Sequence, residues 1–126
     1  MTLPSLPRTN EGQRICQVVK LKPEHAEEYI RIHADVWPAV LESLRKANFV
    51  DYSVHYFAEL NLLIAHMRYL GSDLEADAAG VRESEETRRW WKITDAMQET
   101  FVQGSTGSTS PLGWWLNVPE VFRMEQ

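Results

Sequence analysis

Cysteine is nearly missing from this chain. With Cys16 alone in 126 residues, an internal disulfide and a thiolate cluster for structural zinc are both excluded. No apolar run approaches the length of a membrane span, and residues 1–13, MTLPSLPRTNEGQ, hold two prolines and no apolar core of signal-peptide length. The expectation is a cytoplasmic protein with a flexible N-terminal tail over 1–13 and a single domain over 14–126. Basic residues are also scarce: 13 Lys and Arg stand against 18 Asp and Glu, and they are scattered apart from Arg88, Arg89 and Lys92. A phosphate backbone or an anionic bilayer demands a basic stripe, so neither nucleic acid nor membrane is expected as a partner. Glycine-rich phosphate loops, nucleophile elbows and paired-cysteine motifs are absent as well. GSTGSTSP, Gly104 to Pro111, contains glycine but lacks the strand-to-helix setting of a phosphate cradle, and reads as a flexible low-complexity loop.

What is present is patterned for an α+β domain. RICQVVKL, Arg14 to Leu21, is apolar on both faces, which suits a central strand ended at Pro23. From Glu24, Ala26, Ile30, Trp37, Val40, Leu41 and Leu44 recur at helical spacing, with Arg45 and Lys46 in the last turn. Pro38 predicts a bend or division after Trp37. FVDYSVHYF and LLIAHMRY alternate as strands across the turn Ala58 to Asn61. A second helix is predicted from Ser84 to Phe101, preceded by a looser segment around Gly80, and a last strand over Glu120 to Met124.

Strand, helix, strand, strand, helix, strand is the order of the ferredoxin-like split βαβ fold, one antiparallel sheet with two helices on one face. Strands apolar on both sides leave the second face uncovered, which predicts a homodimer with sheets packed face to face, an assembly of the dimeric α/β barrel type.

Residues four apart on a helix are offset by only about 40°, so Tyr29, His33 and Trp37 form one drifting column. A phenol, a proton carrier that titrates near neutrality and an apolar plane can line one wall. The plainer reading is that the column belongs to the core-facing stripe. Trp90 and Trp91 are explained by packing or by stacking on the apolar face of a sugar, whose hydroxyl rim wants hydrogen bonds. Tyr52 and Tyr56 share a strand face, as ordinary strand propensity also allows. His55 and His66 lack a third ligand, so no metal is expected, and His25 reads as solvated.

Tyr-x-x-x-His-x-x-x-Trp-Pro (Tyr29, His33, Trp37, Pro38), Asp51-Tyr52-Ser53, Arg89-Trp90-Trp91-Lys92 and Glu120-Val121-Phe122 together resemble the L-rhamnose mutarotases over residues 14 to 124. The resemblance implies a dimeric ferredoxin-like protein that interconverts the α and β anomers of L-rhamnose, or a related 6-deoxy sugar, without metal or organic cofactor. It implies His33 as the proton donor, with Tyr29, Tyr52, Trp90 and Trp91 contacting the sugar. Tyr29 is read as orienting His33 or relaying a second proton. The N-terminal extension and the Gly104–Pro111 loop, followed by Gly113-Trp114-Trp115, depart from compact bacterial members and bear on the pocket's lid. A cofactor-free oxygenase of the dimeric α+β barrel type and a non-catalytic sugar-binding protein are the alternatives.

Overall fold

A computed structural model describes residues 12–124. Its centre is an antiparallel sheet of β1 (Gln13–Leu21), β2 (Phe49–Phe57), β3 (Leu62–Tyr69), β4 (Gln98–Glu99) and β5 (Leu116–Asn117). The strands run in the order β2-β3-β1-β4, and β5 pairs with β1 beside β4. β1 is central, as its two apolar faces predict. The described part of the N-terminal tail is short, because Gln13 already pairs with Tyr69; residues 1–11 lie outside the described residues.

Four helices accompany the sheet, where two were expected: α1 (Ala26–His33), α2 (Pro38–Lys46), α3 (Leu74–Glu83) and α4 (Glu85–Ala96). Pro38 divides the first helical stretch outright. It takes the first position of α2, and Trp37 before it is extended at ψ 131°, the conformation that a following proline imposes. Chain 74–83, expected as a looser segment, is helical because Asp73 caps it by accepting a hydrogen bond from the Ala76 N–H, 3.1 Å. Ser84 ends α3 and caps α4, accepting from the Thr87 N–H. α4 stops at Ala96 and not at Phe101, since Gln98 and Glu99 pair with Leu21 and Lys20 instead. The closing strand is Leu116–Asn117; residues 120–124, expected to form it, are not strand, and Val121 is 94 % exposed.

Alternation along the strands divides the sheet. Val19 and Leu21 of β1 and Leu63, Ala65, Met67 and Tyr69 of β3 are buried on one face against the helices. They form two clusters, one around Tyr29 and Met97, the other around Phe49, Ala47 and Val81. Burying a side chain such as Leu63 contributes about 1.5–3 kcal/mol. The alternate residues Val18, Ile64 and His66 are half-buried.

Candidate active site

β2 carries a bulge: Val50 pairs with Arg68 and Ser53 with His66, so Asp51 and Tyr52 together face one residue. Asp51 sits at φ +53°, a left-handed conformation that Asp tolerates better than most residues. The extra residue re-aims Tyr52 toward the helices. There a cavity of about 320 Å³ is bordered by Tyr29 and His33 of α1, Tyr52 of β2, Trp90 and Trp91 of α4, and Gln98 of β4. The five residues singled out in the sequence thus border one space. Trp37, the third member of the column, is not in its lining and packs edge-on against Trp90 at 5.3 Å.

His33 is held on three sides. Its ring stacks on Tyr29 at 4.1 Å and meets the edge of Trp90 at 5.1 Å. Nδ1 lies 2.7 Å from the Tyr29 carbonyl. A carbonyl only accepts, so Nδ1 carries the proton and Nε2 is left for other chemistry. Burial lowers the imidazole pKa from 6.5, outweighing the carbonyl that supports the cation, so the ring is mostly neutral at pH 7. Burial raises the Tyr29 phenol well above its ordinary range. Tyr52 is pushed up to about 12 by the protein around its ring, although 41 % of the residue stays accessible, because it borders two cavities.

The second cavity, about 570 Å³, shares Leu44, Tyr52, Trp91 and Trp115 with the first and extends toward Arg14 and Glu120, which pair at 3.0 Å. It is the larger, but of the two only the smaller is bordered by His33 and Tyr29.

The same lining holds Gln98, Thr94 and Trp115, to which the sequence assigned no contact with the sugar. Gln98 was hidden by the expectation that α4 continued through it. Trp114 and Trp115 follow a loop read as flexible, which is tied down: Asp95 accepts from the Ser108 N–H at 2.8 Å and hydroxyl at 2.5 Å, and Ser105 donates to the Gly113 carbonyl. His66 lies opposite Ser53 and not His55, whose Nε2 is 3.2 Å from Ser53 Oγ. Among the described residues no group of three or more His, Cys, Asp or Glu could hold a metal ion, and no helix is long and apolar enough to cross a membrane.

Comparison with known proteins gives the family. The family model described as L-rhamnose mutarotase matches residues 14–124. The chain belongs to the L-rhamnose mutarotase family. A member from Bacteroides thetaiotaomicron is 30% identical over 105 residues, covering 83% of this chain and 91% of the relative. One from Lactiplantibacillus plantarum is 28% identical over 113 residues, 89% and 98% respectively. The crystal structure of the L-rhamnose mutarotase from Formosa agariphila superposes with a TM-score of 0.70, covering 90% of this chain and all of that one at 24% identity, a likeness of fold.

Proposed function

We propose that the protein interconverts the α and β anomers of L-rhamnose or a related 6-deoxy sugar, with His33 as the proton carrier. The observation that carries the reading is the imidazole whose Nδ1 is occupied by the Tyr29 carbonyl at 2.7 Å, with Nε2 unassigned and the ring bordering a pyranose-sized cavity. Nε2 accepts the proton of the anomeric hydroxyl. The resulting oxyanion collapses to a carbonyl as the bond from C1 to the ring oxygen breaks, and the imidazolium returns its proton to that oxygen. One proton moves from O1 to the ring oxygen, giving the open aldehyde. Rotation about C1–C2 and reversal of the steps close the other anomer. This keeps His33 as the donor to the ring oxygen and identifies the source of its proton. Trp90 and Trp91 offer apolar faces to the sugar's C–H side and methyl group, and Tyr52 a hydroxyl.

The strand order β2-β3-β1-β4 supports the ferredoxin-like description. Half-buried Val18 and Ile64, with exposed Phe57 and Leu116, support pairing of two copies through the sheet; sedimentation giving a monomer at micromolar concentration would remove that part. The single half-buried thiol of Cys16 suits the reducing cytoplasm.

Saturation-transfer NMR of L-rhamnose tests the reaction. Wild type should accelerate anomer exchange and folded His33→Ala should not. Equal exchange by the two proteins rejects His33, and binding without acceleration leaves a sugar-binding protein. Oxygen consumption with a quinol-like substrate, and indifference to sugars, would favour the oxygenase.

A further inference from the structure

We propose that Trp114 and Gln98 are positioning residues that fix the direction of the Tyr29 hydroxyl, making it a one-way hydrogen-bond donor into the cavity. Trp114 Nε1–H can only donate, and it donates to Gln98 Oε1 at 2.8 Å. That sets the amide: its oxygen faces Trp114, and its NH₂ faces Tyr29, donating to Oη at 3.1 Å. Since Oη accepts from Gln98, its own proton is directed elsewhere, and no other protein partner for Oη is found among the described residues. The remaining neighbour is the cavity that Tyr29 and Gln98 both border. Tyr29 and Gln98 are each 4 % exposed, and in such a low-dielectric setting the polarity of a hydrogen-bond chain is strongly held.

The anchor of the chain is the loop that distinguishes this sequence. The Trp114 carbonyl accepts from the Thr100 hydroxyl, and the Ser108–Asp95 pair ties the loop to the end of α4. The low-complexity segment therefore delivers a rigid donor to the base of the site. The inference rests on the proposed mutarotation in one respect: the atom that receives the Tyr29 proton is the sugar oxygen on which negative charge develops during ring opening. Burial keeps the phenol protonated, which suits a donor and not a base.

Gln98→Glu and Gln98→Met separate this role from packing. A carboxylate at 98 still accepts from Trp114, but it can only accept from Tyr29, and so draws the phenol proton away from the cavity. Methionine matches the volume and leaves Tyr29 free to donate inward. The expected order for exchange rate at saturating L-rhamnose is wild type, then Gln98→Met, then Gln98→Glu, with the last down about 10- to 100-fold, the worth of one hydrogen bond to a charged group. Relative to wild type at each pH, the Glu variant should recover on acidification, because a protonated carboxyl regains a donor. A merely structural Gln98 gives the reverse order, with Glu the milder change, and that result overturns the proposal. An activity-independent measurement is deuterium exchange of the Trp114 indole N–H by NMR, expected slow in wild type and Gln98→Glu and fast in Gln98→Met. Equal indole exchange in all three overturns the relay even if sugar turnover is normal. Failure of wild type to act on L-rhamnose, with the indole pattern as expected, rejects the mutarotase reading and leaves the relay standing.

Discussion

Replacing His33 by asparagine removes the proton carrier while sparing its anchor. The amide nitrogen of Asn occupies nearly the place of Nδ1 and can still donate to the Tyr29 carbonyl, now reached at 2.7 Å, so the stability lost is that of the ring contacts with Tyr29 and Trp90, about 1–3 kcal/mol. Nothing replaces Nε2. A positioned acid–base group contributes about 10²–10⁴-fold, so His33→Asn should lower kcat by that factor, about 3–5 kcal/mol in activation free energy. The pH dependence follows from the sign of the shift. Burial lowers the imidazole pKa from 6.5, so the neutral base persists into mildly acidic solution, and the acid limb of kcat/KM should fall below pH 6.5 and vanish in the variant. Folding responds in parallel: the unfolded chain takes up the proton first as pH drops, so the His33 contribution is full above the unfolded value and lost below it. The assay is saturation-transfer exchange of L-rhamnose across pH 5–8, corrected for the spontaneous rate, with a urea melt at each pH. An acid limb at or above 6.5, or an asparagine variant as fast as wild type, would refute the reasoning.

Other expectations concern the frame around the site. Leu63 is 1 % exposed at the heart of the cluster around Tyr29, so Leu63→Ala should cost about 2–5 kcal/mol in urea denaturation. Asp51→Gly accepts φ +53° and gives up only the 3.6 Å pairing with Arg68, so it should cost at most about 1 kcal/mol, whereas Asp51→Val should destabilise by about 1–2 kcal/mol more and disturb Tyr52. Asp95→Asn keeps an acceptor for the Ser108 N–H and should hold the loop, while Asp95→Ala should speed proteolysis between Gly104 and Pro111.

β1, β2 and β3 were legible because their alternation is enforced by a two-faced sheet, and α1, α2 and α4 because proline and apolar spacing agree, whereas β4 and β5, two residues each, carry no alternation to read. α3 was hidden by its own composition: Leu74 and Val81 are its only large apolar residues, Gly80 lowers helix propensity, and only the cap at Asp73 betrayed it. The end of α4 was misplaced because Met97 and Phe101 extend the helical spacing, while the competing pairing of Gln98 and Glu99 with β1 is a long-range event no local window contains. Tyr29, His33, Tyr52, Trp90 and Trp91 could be named from motifs, but the pairing of Gln98 with Trp114 could not. Their significance lies in which atom each presents to the other, a matter of tertiary geometry.

Side chains on a helix lean back over the preceding turn, so a ring at one position is roofed by residues a turn further on. The interruption at Trp37–Pro38 removes that roof. α1 terminates at His33 itself, and the chain that would have continued above the imidazole swings off to start α2, carrying Trp37 to Trp90. An unbroken rod through the same residues would have shuttered the ring; the proline keeps its doorway open.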